Sequence, residues 1–324
     1  MTKFSGPGRD WRLDGLDETN GSTSGADAPA SQSGRDNVTI GGIKNSGGEF
    51  GIYGGDIGEV LYYDSALSAG DIALVEAYLL AKWGVSTAST LRDFTSFYKL
   101  GEVSGTRDDE SQRELDLNLV TTATQAVGVS ASTGNAAQFT GGTYLSRGDT
   151  GPGNPHRLAD PGGTASFSIS AWVYLDSKPA DLMGIVSKFE IGAGRALEYT
   201  LYWNHTSDRF VFDVTELNTT GFLATADAFG APSTGTWYHI VARRDDAAGL
   251  VKIKINDSFE NTTAMTTGKV VTSGSQPLYI GKRSTAAGNT WLGRIDAVGL
   301  WPRAIIDAEI TELYNAGLGK QPIF

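Results

Sequence analysis

The chain has 324 residues, enough for two domains and a sizeable core. It holds 42 glycines and no cysteine and carries a formal charge of -11, which excludes disulfides and thiolate metal sites. The acidity, with no concentrated Lys/Arg block, excludes a nucleic-acid or anionic-membrane surface, because both need a positive footprint, and no run of about 18 apolar residues is present to span a bilayer.

Residues 1–8 contain no apolar run of the kind a secretory leader uses, so synthesis in the cytosol is expected. Residues 11–17 alternate apolar and polar and predict a strand with a turn at Gly15; residues 18–36, rich in Gly, Ser, Asn and Ala, predict a long loop. Strand signals return at 38–42 and 51–63. Ser68 predicts the N-cap of a helix whose apolar positions Ile72, Val75, Leu79 and Trp83 recur at helical spacing, with Gly84 as its stop. From Phe94 the strands come closely spaced. In residues 165–175, Phe167, Ile169, Ala171, Val173 and Leu175 share one face, and Ser168, Ser170, Trp172 and Tyr174 the other. Similar runs occur at 199–204, 210–215, 237–243 and 250–255, and Asn256-Asp257 marks a turn. Many short strands joined by glycine turns, with a late short helix, predict an antiparallel sandwich.

The end of the chain repeats an earlier segment. Residues 55–64 (GDIGEVLYYD) and a helix-like run to Trp83 are echoed by residues 293–302 (GRIDAVGLWP) and a helix-like run to Leu318. The second copy has about 200 residues ahead of it and the first only about 50, so residues 1–86 predict a partial domain, 87–92 a linker and 93–324 a complete domain. Ile40, Ile52, Ile57, Val60 and Tyr62 fall in strands that would face an opposing sheet, yet too few strands precede them to build one. An uncovered apolar face and open edges predict assembly with other copies of the chain or with another protein.

Four segments, 97–106 (FYKLGEVSGT), 166–173 (SFSISAWV), 237–242 (WYHIVA) and 293–301, follow the order seen in laminin G-like, concanavalin A-like jelly-roll domains, and residues 94–320 resemble that family. The resemblance implies an all-β antiparallel jelly-roll sandwich closing with a short helix, preceded by a partial copy of the same fold. Family members include glycan-binding modules, adhesive and assembly domains, and glucanase relatives. A retaining glucanase of this family uses Glu-x-Asp-x-x-Glu on one strand. Here the nearest approach is Glu114-Leu115-Asp116 with Leu119 where the last acid would stand, and no other hydrolase motif occurs, so a non-enzymatic protein is expected.

The resemblance also implies a structural calcium ion joining an opening-loop acid, Asp108 or Asp109, to Asp296 on the closing strand; the alternative is a solvated turn and a surface acid. Gly58 stands where Asp296 would in the first copy, which predicts no such site there. For carbohydrate, Trp291 in a Gly/Asn/Thr loop is the expected stacking platform, the alternative being a ring that covers the core edge. Tyr202, Asn204 and Asp213 are the expected polar partners, facing opposite to Tyr199, Leu201, Trp203, Phe210, Phe212 and Val214, and either set could be the exposed one. His239 is expected to be a packed strand residue. The setting that unites a lectin-like fold with cytosolic synthesis and no cysteine is a bacteriophage virion, as a capsid decoration, fibre or tail adhesin assembled in the host cytoplasm. Its expected partners are other virion proteins, copies of itself and a cell-surface glycan. The alternatives are a fragment of a bacterial secreted or surface adhesin and a carbohydrate-binding module of a glycoside hydrolase.

Overall fold

In the computed structural model the chain divides into two compact units, Met1–Ser89 and Thr90–Phe324. The first is described at residues 2–5, 8–13, 16–17, 43–45, 48–50, 59–63, 67–68, 70–72, 74–75 and 78–79; the second throughout 90–321 except 112, 120–122, 152, 159–165, 190–197, 216–220 and 267–274.

In the first unit, β1 (Thr2–Ser5), β2 (Gly8–Leu13) and β3 (Leu16–Asp17) form an antiparallel sheet, and β4 (Ile43–Asn45) pairs with β5 (Gly48–Phe50). The β2–β3 reversal pairs Leu13 with Leu16, as the turn at Gly15 predicts. Ser68 caps the helix: its Oγ accepts from Asp71 N at 3.2 Å, and the Asp71 carboxylate accepts from Ser68 N at 3.2 Å. Residues 70–72, 74–75 and 78–79 are helical, and Ile72 is buried. Of the five expected assembly residues, Ile40, Ile52 and Ile57 lie outside the described residues. Val60 and Tyr62 depart from expectation: residues 59–63 form no strand, and the two side chains are 55% and 86% exposed. Alternation alone does not make a strand without a hydrogen-bonding neighbour.

The second unit opens in a short 3-10 turn, Thr90–Asp93, rather than a linker. Leu91 is fully buried and its carbonyl accepts from Trp301 Nε1 at 3.0 Å, which ties residues 90–92 to the sandwich. The strands that follow are β6 (Ser96–Tyr98), β7 (Asn118–Leu119), β8 (Thr124–Val127), β9 (Asn135–Thr140), β10 (Leu145–Arg147), β11 (Phe167–Leu175), β12 (Met183–Lys188), β13 (Tyr199–Asn204), β14 (Arg209–Thr215), β15 (Gly221–Thr225), β16 (Trp237–Asp245), β17 (Leu250–Ile255), β18 (Phe259–Ala264), β19 (Leu278–Ile280) and β20 (Leu292–Trp301). They form two antiparallel sheets, one of seven strands in the order β15-β14-β13-β12-β19-β10-β7, the other of eight in the order β18-β17-β16-β11-β20-β9-β8 with β6 also on β20. This is the jelly-roll sandwich that the resemblance implies.

The alternation in β11 sorts its side chains as expected. Phe167, Ile169, Ala171, Val173 and Leu175 enter the main core between the sheets, with Leu201, Phe210, Phe212, Ile240, Ile253 and Ile295. Trp172 points the other way, into a second cluster with Val241, Trp301, Ile310 and Leu313 under the C-terminal helix Asp307–Tyr314. Glu309 fastens the start of that helix, accepting from Ile306 N at 2.7 Å while Arg303 bonds both its oxygens at 2.6 and 2.7 Å. His239 is packed as expected, its ring 5.0 Å from that of Trp172 and its Nε2 bonded to Ser170 Oγ at 2.9 Å.

Candidate functional site

The outer face of the seven-stranded sheet is where sequence expectation and structure meet. Because Tyr199, Leu201 and Trp203 of β13 enter the core, Thr200 and Tyr202 point outward; on β14 the same alternation turns Val211 and Asp213 outward. Register places Asp213 beside Thr200, Thr200 beside Ser187, and Ser187 beside Tyr279 of β19. The pairing of β12 with β13 shifts between Gly184 and Val186, a bulge beside Tyr202 of the kind that re-aims a strand. Gly184 is needed there: a Cβ at this position would stand 2.1 Å from Arg283 N, so only glycine lets the segment after β19 lie against β12. Ser187 Oγ donates to the Arg283 carbonyl at 2.5 Å and fastens the same segment.

The result is a row of aromatic rings and cations. The Arg283 guanidinium carbon lies 4.3 Å from the centre of the Phe189 ring and 4.5 Å from that of Tyr202. Lys282 Nζ lies 4.4 Å from the centre of Tyr144 and 5.8 Å from that of Tyr279. Both cations are nearly covered, at 9% exposure for Lys282 and 8% for Arg283. Burial lowers the pKa of each below its ordinary value; at Arg283 the neighbouring Tyr202 and Asp213 oppose that shift without cancelling it. The Tyr202 phenol is pushed up by burial, against the influence of Arg283 and Asn204. Three buried polar atoms in this region, Thr200 Oγ1, Arg283 Nε and Ser284 Oγ, make no hydrogen bond.

Tyr202, Asn204 and Asp213 thus belong to one neighbourhood. Asn204 serves mainly the turn after β13, its Oδ1 accepting from Thr206 N at 2.9 Å. Trp291 does not join them. Its ring is completely buried in the main core and its backbone N bonds to Gly281 O at 2.8 Å, which corrects the expectation of an exposed platform. The Gly/Asn/Thr loop folds back on the sandwich, and a large ring next to a closing strand gains more by filling the core edge. Sequence reading missed Lys282, Arg283, Phe189, Tyr144 and Tyr279. The one local signal is a Lys-Arg pair directly after a strand in an acidic chain.

The acids expected to share calcium do not assemble. Among the described residues no group of three or more Asp, Glu or His side chains gathers. Asp108 is exposed. Asp109 organises its own loop, its carboxylate accepting from Phe97 N at 3.0 Å, Ser111 N at 3.1 Å and Leu115 N at 3.3 Å, and from the Ser111 hydroxyl. Asp296 is fully buried under the turn at Gly128; one oxygen accepts from Val129 N at 3.2 Å and the other makes no hydrogen bond. Burial pushes its pKa up to about 7. No helix among the described residues is long and apolar enough to cross a membrane.

Residues 139–311 match the Laminin_G_3 family, the concanavalin A-like lectin/glucanases superfamily, over more than half of the chain. The chain belongs to that family. Similar solved structures include domain 4 of AbnA, an extracellular GH43 arabinanase from Geobacillus stearothermophilus, in complex with arabinotriose (TM-score 0.45, 17% identity, covering 68% of this chain and 97% of that one). The receptor-binding domain of botulinum neurotoxin C/D mosaic serotype is similar at TM-score 0.51 and 10% identity, over 69% of this chain and 51% of that one. A mutant Trypanosoma rangeli sialidase displaying trans-sialidase activity is similar at TM-score 0.51 and 17% identity, over 78% of this chain and 40% of that one. At these identities the likeness speaks to the fold alone. No curated protein matches the sequence.

Proposed function

We propose that the chain is a non-enzymatic, lectin-like protein whose 90–324 unit binds carbohydrate on the outer face of the seven-stranded sheet, through Tyr202, Asp213 and Arg283. The observation that supports this is the coincidence there of aromatic rings with buried polar atoms that make no hydrogen bond. A saccharide is recognised in general by aromatic rings that stack on its apolar face and by polar groups that bond its hydroxyls. Fold membership alone would not distinguish this from catalysis, because the family contains both. The absence of the Glu-x-Asp-x-x-Glu spacing favours binding.

A panel of immobilised glycans probed with the full chain tests the reading. Retention of at least one glycan, lost in Tyr202→Ala and unaccompanied by release of reducing sugar, is the expected result. Retention of none, or turnover abolished by a single carboxylate substitution, would overturn it. The setting we propose is a bacteriophage virion, supported by the repeated closing segment in an acidic, cysteine-free chain. Detection of the chain in purified particles by mass spectrometry is the outcome expected. Its recovery from bacterial surface fractions without particles would favour an adhesin instead.

A further inference from the structure

The C-terminal helix does not cover the whole outer face of the eight-stranded sheet. Trp172 and His239, paired across β11 and β16, stack against its Tyr314. One step of alternation along the same two strands stand Tyr174 and Trp237, again paired, and both are only half-buried. Register continues the row: Tyr174 pairs with Arg294 of β20 and Arg294 with Gln138 of β9, so the row crosses four neighbouring strands over about 14 Å. The Trp237 and Tyr174 rings meet edge to face at 5.5 Å, and the Arg294 guanidinium carbon lies 4.5 Å from the centre of the Tyr174 ring. Arg294 Nε donates to Gln138 Oε1 at 3.3 Å, and Gln138 Nε2 donates to the carboxylate of the exposed Asp176 at 2.7 Å. The amide therefore stands between one cation and one carboxylate. A half-open indole, a donor and an acceptor share one accessible row that carries no net charge.

We propose that this row is a second carbohydrate-contacting surface, one that takes a neutral sugar chain laid across β16, β11 and β20. It shares the ligand class of the reading above and none of its residues. The half-buried Trp237 indole packs on the apolar face of a pyranose, and Arg294, Gln138 and Asp176 bond its hydroxyls, which both donate and accept. A carboxylate-bearing chain would gain at Arg294 but meet Asp176, so the balance of charge fits a neutral ligand. A peptide finds no foothold here. Strand addition needs a free sheet edge and helix docking an apolar groove, whereas β11 and β20 are paired on both sides and Arg294, Gln138 and Asp176 interrupt any apolar stripe. Interior strands also hold the row rigid, as a binding surface requires.

Calorimetric titration of the full chain with oligosaccharides of laminarin, mixed-linkage glucan and galactomannan tests the inference. At least one should bind, and its affinity should hardly change as salt is raised, because the ligand carries no charge to screen. Trp237→Ala should weaken that binding about tenfold, with Trp237→Phe retaining part of it, and Arg294→Met should weaken it about three- to tenfold. Gln138→Ala is the further variant should Trp237→Ala not fold, and a loss of about threefold is expected from it. Binding lost in Tyr202→Ala and kept in Trp237→Ala and Arg294→Met would overturn the inference and leave the reading above standing. Binding lost in Trp237→Ala and kept in Tyr202→Ala would establish the row and remove the opposite face from carbohydrate recognition. Binding of oligogalacturonate alone, abolished by salt, would overturn the neutral class. No binding of any of these probes would sink the inference, while the immobilised glycan panel still decides the other face.

Discussion

On the outer face of the eight-stranded sheet, Trp172 stacks against His239 at 5.0 Å and against Tyr314 of the C-terminal helix at 5.8 Å, the latter nearly coplanar at 8°. On the outer face of the seven-stranded sheet, Tyr202, Phe189, Tyr144 and Tyr279 carry Arg283 and Lys282. The first face uses its aromatics to dock a helix, and burial keeps its histidine neutral, with a pKa pushed down to about 3. The second holds two cations over its rings, and among the described residues neither forms a salt bridge. Two sheets with the same alternation therefore differ on their outer faces: one docks a helix through its aromatics, and the other packs its rings against two cations.

The comparison is broken most directly at Trp172. Trp172→Ala should cost about 3–5 kcal/mol in denaturant unfolding, because a buried indole between two rings and a helix is replaced by a cavity. Glycan binding through Tyr202 by the remaining folded protein should be unchanged, since the substitution lies on the opposite face. A loss of binding at full folding would mean that the two faces are coupled.

A smaller effect is expected at Asp296, also on the eight-stranded sheet. Its folded-state pKa is raised from 3.8 to about 7, so the folded chain holds the proton more tightly than the unfolded one. The stability tied to that proton is fully present below about pH 4 and is lost as pH rises through 7. Asp296→Asn keeps an acceptor for Val129 N but cannot ionise. Its unfolding free energy should therefore fall less than the wild type's between pH 5 and 8, by roughly 2–4 kcal/mol. Parallel pH profiles for the two proteins would show that the carboxylate is compensated in the fold.

The smallest expected change is the most discriminating. Lys282→Met removes a buried charge but keeps an unbranched side chain over the Tyr144 ring, so the melting free energy should move by no more than about 1 kcal/mol and in the stabilising direction if at all. A destabilisation beyond about 2 kcal/mol would place Lys282 among the structural residues, with Lys188 and Arg244, and would erase the distinction between the faces.

What could be read from residues alone was set by neighbours in sequence. The two-residue alternation of residues 167–175 and 199–204 and the cap at Ser68 each follow from local backbone geometry, and each stands in the structure. The alternation also placed Tyr202 and Asp213 on one face of the sheet, though not which face was covered. Trp291 shows where local pattern stops: a tryptophan in a Gly/Asn/Thr loop has the same sequence whether the loop folds inward or outward, and here the core edge takes the ring. Val60 shows the converse, since alternation by itself does not make a strand, and residues 59–63 form none. The pairing of Arg283 with Phe189 and Tyr202, and of Lys282 with Tyr144, joins positions far apart in the chain through four different strands and their loops. Only the folded sheet brings those rings beneath the cations, because local sequence fixes where a side chain points, while its charge environment is fixed by whichever distant residues the register places beside it.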